Sequence, residues 1–592
     1  MMSNNNNNWD HEFDVIVVGS GAGALTTSIK AHDLGLKVLV VEKSELYGGT
    51  SAISGGGIWI PNNHQISQMG QKDADEAGVE YIKNVIQYPV EDGRIEAYVG
   101  NARKMVKYLE DNSHVKFEAQ AEYTDYYPEL EYGMPGYRSM DPIPFDARKL
   151  GNEFDLQRPP GKGTLMMGRM TMSVKEARQM LTRSPGWMWT NMKVMFRYYS
   201  DFGGRLKGPK DRHLTLGGAL IGSLRRSMMD RDIPLWLSSP MEKLVTENGR
   251  VTGVTIRRNG KIETIQARKG VVLGAGGFEQ NQAMREKYHP QPSNSAWSAT
   301  PVGNNTGDAI RAGLEIGAQT ALMDHSWWAP TTTPTGEPQA RALFVERALP
   351  GCIMVNSAGK RFVNEAAPYS DIGYAMYETH KGDVTGVPCW FVFDATFRNK
   401  YPCGAVLPGY AQPDAALPKR LKDYFVKADT LEALAEKTGM DKTGLVNTVA
   451  DFNVHAKDGS DPEFHKGESL FDRFYGDPGC KPNPCVAPVE KGPFYALKVN
   501  AGDIGTKGGL YTDVNARVLN ETGDAIEGLY AIGNTSSSVM AHTYPGAGST
   551  LGPAMTFGYL AAEHLSQYEP EVSAEIPVEN DKSQEVADAV EA

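Results

Sequence analysis

The 592-residue chain holds only five cysteines, Cys352, Cys389, Cys403, Cys480 and Cys485, and no two of them form a Cys-x-x-Cys pair. That scarcity excludes a disulfide frame and an iron–sulfur cysteine pattern, and reads as reduced thiols in a cytoplasmic protein. No apolar run approaches the roughly 18 residues needed to span a bilayer. The polar run Asn4 to Asn8 has no apolar core behind it, so no secretory signal is read there. Cations are in deficit: 60 Lys and Arg against 72 Asp and Glu leave a net charge of −12, which argues against a nucleic-acid partner. No residue grouping calls for a metal. What the chain has in quantity is glycine, 63 residues, alongside 41% hydrophobic residues. Its length implies more than one domain, and this composition suits a large α/β enzyme rich in tight turns.

The glycines are placed. Val15-Ile16-Val17-Val18 breaks on Gly19-Ser20-Gly21-Ala22-Gly23-Ala24 and enters an amphipathic stretch with Leu25, Ile29, His32 and Leu34. This reads as strand, tight turn, helix. Gly19 permits the turn, Gly21 lets the backbone approach a pyrophosphate, and Ala24 allows close packing of helix on strand. A second apolar run, Val38 to Val41, ends on Glu42, an acid at the distance that holds a ribose hydroxyl. NAD and FAD share this fingerprint. Directly after it, Lys43 to Ser51 contains Gly48-Gly49-Thr50-Ser51, and Gly55-Gly56-Gly57 follows. Such a run offers backbone N–H groups to a second phosphate or a flavin ring, or is a flexible loop. Asn248-Gly249 and Asn259-Gly260 punctuate alternating runs from Val251 to Ile256 and from Ile262 to Ala267, predicting two hairpins. Gly270 to Leu273 then returns as a buried strand before Gly274-Ala275-Gly276-Gly277.

In this order, with Gly528 to Asn534 closing the set, these segments resemble the flavoprotein superfamily of fumarate reductase and succinate dehydrogenase over nearly the whole chain. Within it, Thr124 to Pro128, Arg361 to Tyr369 and Tyr544-Pro545-Gly546-Ala547-Gly548 resemble the 3-ketosteroid Δ1-dehydrogenases. The resemblance implies FAD held by Gly19, Gly21, Ala22, Gly23, Ala24, Glu42, Lys43, Gly49, Thr50, Ser51, Gly55 and Gly56. Further contacts are implied at Ala275, Gly276, Asn305, Asp308, Gly533, Asn534 and Leu551. Covalently flavinylated members carry a histidine near the Gly-Gly loop; here the stretch reads Thr50-Ser51-Ala52, implying non-covalent FAD.

The same resemblance gives Tyr544 and the Gly548 N–H the ketone oxygen. Tyr369 would take the carbon 2 proton with help from Tyr126, and flavin N5 the carbon 1 hydride. Fumarate-type members bind a dianion with arginine and histidine, whereas neutral tyrosines suit a ketone. A tyrosine of ordinary pKa, about 10, is a poor base at neutral pH, which predicts an alkaline optimum. Trp297, Trp327 and Trp328 read either as a steroid-pocket wall or as plain core. A 3-ketosteroid dehydrogenase acting at carbons 4 and 5, an enoate reductase, and a non-catalytic flavin-binding docking protein stand as alternatives. The electron acceptor leaves no signature; a quinone or another soluble carrier is expected.

The fold expected is α/β: a Rossmann-like FAD-binding domain split between residues 1–290 and 488–566, with an inserted α+β catalytic cap at 291–487. In the cap, Asp429 to Gly459 has helical spacing. From Gln567 onward, eight acids against Lys582 alone predict a disordered tail over 567–592. An apparent insertion spans about 157–212. Within it, Met166 to Tyr199 holds eight methionines, two tryptophans and six Lys or Arg against Glu176 alone. Met180, Trp187, Met188, Met192, Met195 and Tyr199 would share an apolar face flanked by Lys193 and Arg197. The segment suits either the surface of an anionic membrane or a helical hairpin packed on the enzyme or at a subunit contact. Membrane contact would favour cholest-4-en-3-one over smaller androstene ketones.

Overall fold

The computed structural model describes residues 9–568. Asn4 to Asn8 and all of the acidic tail beyond Tyr568 lie outside the described residues. Strand His11–Val18, helix Ala22–Asp33 and strand Val38–Val41 form the expected opening unit. Val15, Ile16 and Val17 are fully buried, as a strand covered on both faces requires. His11–Val18 runs parallel to Val38–Val41 on one side and to Lys261–Leu273 on the other. Ala525–Ala531 extends the parallel set beside Lys261–Leu273, so one eight-stranded sheet joins residues near both ends of the described chain.

Two glycines explain how tightly its helices pack. A Cβ on Gly23 would lie 2.6 Å from the Ala554 carbonyl oxygen, and one on Gly558 would lie 2.5 Å from Thr27 Oγ1. The helices Ala22–Asp33 and Leu551–Gln567 therefore meet backbone to backbone. Both Asn-Gly pairs make hairpin turns, with positive φ at Asn248, Gly249, Asn259 and Gly260. The runs expected as a meander strand and a separate buried strand are one strand, Lys261–Leu273: its first half pairs with Arg250–Arg258 and its second half enters the parallel sheet.

A second, six-stranded sheet contains Ser326–Thr332, Phe494–Thr506, Cys389–Phe393 and Cys352–Val355. Phe494–Thr506 runs through its middle, antiparallel to its neighbours, although it follows the boundary expected near 488. The chain re-enters the first sheet only at Arg517–Leu519. Helical spacing from Asp429 to Gly459 resolves into two helices, Leu431–Thr438 and Lys442–Ala456, broken where Gly439 adopts φ +74°. All five cysteines are free thiols, and four are buried.

Candidate active site

Three distant segments bring the predicted tyrosines together. Tyr544 is held by its own turn: a Cβ on Gly546 would lie 2.4 Å from the Trp59 ring, and one on Gly548 would lie 2.4 Å from the Ile58 carbonyl carbon. Gly548 also sits at φ +103°, so the Pro-Gly-Ala-Gly sequence is what lets this turn lie flat on strand Ile58–Trp59. The Pro545 carbonyl then accepts from the Tyr126 N–H at 2.9 Å and the Tyr81 hydroxyl at 2.8 Å, docking the 124–127 loop on the turn. Tyr369 opens helix Tyr369–Thr379, directly after Pro368. The helix lies close on strand Ser326–Thr332, where a Cβ on Gly373 would meet that of Trp328. The segment leading into it is fixed by a buried ion pair. Arg361 grips Glu365 through Nε and Nη2, both at 2.9 Å, and Asp461 at 2.7–2.8 Å.

The three rings form one buried cluster. Tyr126 lies 5.2 Å from Tyr544 and 5.7 Å from Tyr369, and Tyr369 lies 5.2 Å from Tyr544, edge on. Tyr126 Oη donates to Tyr369 Oη at 3.2 Å, and Thr550 Oγ1 donates to Tyr544 Oη at 3.2 Å. Burial holds the Tyr126 and Tyr369 hydroxyls well above the ordinary tyrosine value; neighbouring tyrosine oxygens add to this, and Tyr126's donation to Tyr369 raises Tyr126 further while opposing the rise at Tyr369. Burial also raises Tyr544, against the donation from Thr550. The surrounding wall is aromatic: Phe471 stands 4.6 Å from Tyr126, Phe344 5.0 Å from Tyr369, and Trp327 4.8 Å from Tyr544. Among the described residues no Arg, Lys or His side chain hydrogen-bonds to any of the three hydroxyls. Of the surrounding residues the sequence singles out Trp327 alone, as either pocket wall or plain core, and carries no signal for Thr550, Phe344 or Phe471.

The predicted cofactor residues gather at the ends of the first sheet. Gly19 has φ +104°, and its Cβ would strike the Gly274 carbonyl, so the first glycine turn abuts the Gly274-Ala275-Gly276 turn. A Cβ on Gly49 or Gly55 would meet nothing within 4 Å, and one on Gly21 only Ser51 Oγ. The backbone there faces open space of the kind a pyrophosphate fills. Gly56 differs: it packs on Leu216 and Gly217. Glu42 accepts from Ser20 Oγ at 2.6 Å and the Ser44 N–H at 2.9 Å, leaving spare lone pairs for a ribose. Ser51 Oγ accepts from the Ala22 N–H at 3.1 Å, while Lys43 and Asp308 pair at 2.7 Å. Asn305 Nδ2 donates to Thr50 Oγ1 at 2.7 Å and Glu279 Oε1 at 2.6 Å. Gly533, Asn534 and Thr550 line a cleft beside Trp327, with Leu551 starting the helix that follows. These residues fit an extended dinucleotide with a ring system at one end.

Fold and site define a flavin-dependent oxidoreductase. The FAD binding domain family matches residues 14–551. The 3-oxosteroid 1-dehydrogenase of Mycobacterium tuberculosis is 42% identical over 567 residues, covering 94% of this chain and 98% of the relative. The 3-ketosteroid Δ1-dehydrogenase of Sterolibacterium denitrificans, solved with 1,4-androstadiene-3,17-dione, is 50% identical with a TM-score of 0.91, covering 94% and 100%. A flavocytochrome c3 fumarate reductase shares the fold, with a TM-score of 0.60 at 22% identity over 95% of this chain and 79% of its own. The chain belongs to the FAD binding domain family and, within it, to the 3-oxosteroid 1-dehydrogenases.

Proposed function

We infer that this protein is an FAD-dependent 3-ketosteroid Δ1-dehydrogenase, converting 3-oxo-Δ4-steroids to 3-oxo-Δ1,4-steroids. The observation that carries the reading is the buried triangle of Tyr126, Tyr369 and Tyr544 in an aromatic wall, with no cationic side chain hydrogen-bonded to its hydroxyls among the described residues. Such a site suits a neutral ketone better than a dicarboxylate, which would need cations bonded to its oxygens. FAD, when bound, supplies the hydride acceptor. Because Thr550 donates to Tyr544, the Tyr544 proton is free to point at a ketone oxygen, with the Gly548 N–H as second donor. Polarising that carbonyl acidifies carbon 2, and Tyr369, as the tyrosinate steadied by the Tyr126 hydrogen bond, takes the proton on Oη and becomes neutral.

The sheet holding residues 11–273 and 517–531 would bind FAD, and the inserted region over 291–487 would cover the steroid. FAD would be non-covalent, since Thr50-Ser51-Ala52 offers no histidine, and electrons would leave to a quinone-like acceptor. Anaerobic mixing with androst-4-ene-3,17-dione and, separately, cholest-4-en-3-one tests the reading. Flavin bleaching with a 1,4-diene product is expected; no bleaching with either ketone overturns it.

The 157–212 insertion supports peripheral contact with an anionic lipid surface. Helices Val174–Leu181 and Trp187–Ser200 form a hairpin that buries Val194 and Tyr198 against Met170 and packs Met180 inward. Met180 thus leaves the apolar face expected of it, and Arg197 is tied to Glu176 at 2.9 Å. Met188, Met192, Met195 and Tyr199 of that face stay exposed, joined by Trp189, Phe196, Phe202 and Leu206, the last three 75%, 76% and 90% exposed. Leaving such side chains in water forgoes about 1.5–3 kcal/mol each. Lys193 lies among them. No helix among the described residues is long and apolar enough to cross a membrane.

A further inference from the structure

Lys507 is fully buried and has no carboxylate within ion-pair distance among the described residues. It follows strand Phe494–Thr506 directly. Its Nζ donates to the Ala541 carbonyl at 3.3 Å and to the Thr543 carbonyl, and stands 4.2 Å from the centre of the Trp327 ring. Its own backbone is held on both sides, by the His325 carbonyl and the Ser538 N–H, each at 3.0 Å. A buried amine without an ion-pair partner carries a large desolvation penalty, here offset by two carbonyls, an indole face and the more distant Asp371 carboxylate.

Those partners share one neighbour. Ala541 and Thr543 lie in the turn that runs into Tyr544, and Ala541 holds φ +47°, a conformation a β-carbon resists. Trp327 packs edge-on against Tyr544, with its Nε1 donating to Asn534 Oδ1 at 3.1 Å. One amine therefore grips Tyr544 twice, along the chain and across the indole, from a base on a central strand.

We propose that Lys507 is a positioning residue for the known reaction, holding the Tyr544 hydroxyl where it meets the ketone oxygen. The proposal rests on the reading of Tyr544 as ketone donor. Without the tether, two carbonyls lose their donor and the turn relaxes; a displacement of about 1 Å at a reacting group lowers rates by about 100-fold.

A double-mutant cycle on anaerobic flavin reduction by androst-4-ene-3,17-dione tests it, using holoenzyme of K507M, Y544F and the double variant. K507M alone is expected to lower the saturated rate by about 100-fold while the half-saturating ketone concentration changes less, because the donor works mainly on the developing oxyanion. In the Y544F background the same change should lower the rate less than about threefold. K507R, which keeps donors and charge, should recover most of the loss. Equal losses in both backgrounds would show a general structural role and overturn the proposal. An unimpaired Y544F would instead overturn the reading of Tyr544. If K507M does not retain FAD, W327F decides: the second grip runs through the indole, so its loss must also shrink in the Y544F background, and additivity there overturns the proposal.

Discussion

At the scale of single side chains, the proposed site would work by holding weak acids dry. Tyr544 donates best where water cannot compete, and removing one such donor costs about 2.7–4 kcal/mol of transition-state stabilisation. Tyr544→Phe should therefore slow flavin reduction by about 100- to 1,000-fold with FAD content unchanged, as read by stopped-flow absorbance. Tyr369 is held protonated at neutral pH by burial, so its basic form grows as pH rises. The reduction rate should climb from neutral pH and still be rising at the ordinary tyrosine value of about 10, and Tyr369→Phe should flatten the profile. Since Tyr126's hydrogen bond is what lowers Tyr369, Tyr126→Phe should move the climb to higher pH. The identities of Tyr126, Tyr369 and Tyr544 were legible from motif resemblance. Their acidities were not, because burial and the direction of hydrogen bonds belong to no single segment.

At the scale of elements, the turn at 544–548 depends on strand Ile58–Trp59 beneath it. Gly548→Ala adds a methyl group 2.4 Å from the Ile58 carbonyl carbon at a φ that favours glycine. The turn must lift, so the variant should lose nearly all desaturation while still binding FAD, a split that flavin absorbance and product analysis separate. The glycine fingerprint, the Asn-Gly hairpins and the opening strand-helix-strand unit were readable because each obeys a local rule of turn chemistry or period. The helical hairpin was only half readable: periodicity gave an apolar face, but which residues of it turn inward depends on Met170 and Glu176 from another part of the insertion. Replacing Trp189, Phe196 and Phe202 together with serine should abolish flotation with vesicles of anionic phospholipid and leave turnover of androst-4-ene-3,17-dione unchanged.

At the scale of the whole molecule, two sheets meet beside a buried acidic junction. Glu279 is fully buried, and burial together with the nearby Asp503 raises it from 4.5 to about 7. Between those values the native protein holds a proton that the unfolded chain releases, so stability falls as pH rises through the window. Glu279→Gln removes that loss: its melting temperature should exceed the parent's by a few degrees at pH 8 and match it near pH 5, by thermal melts at both pH values. Such a junction has no sequence signature, since Glu279, Asn305 and Asp503 are neighbours only after the sheets assemble. The placement of Phe494–Thr506 is of the same kind. An alternating or apolar run announces a strand, but its partners are chosen by which sheet has an edge to offer.

The sequence by itself determined the dinucleotide turn, the class of cofactor and the tyrosines available for chemistry, because backbone φ, helix and strand period and side-chain type are properties of short segments. Only the tertiary structure decided that Tyr126, Tyr369 and Tyr544 share one dry triangle, that Thr550 and Tyr126 set the hydrogen-bond directions, and that Lys507 stands over the Trp327 ring that packs on Tyr544. Those are matters of distance and desolvation between residues hundreds of positions apart, and they come into being when the two sheets close on each other.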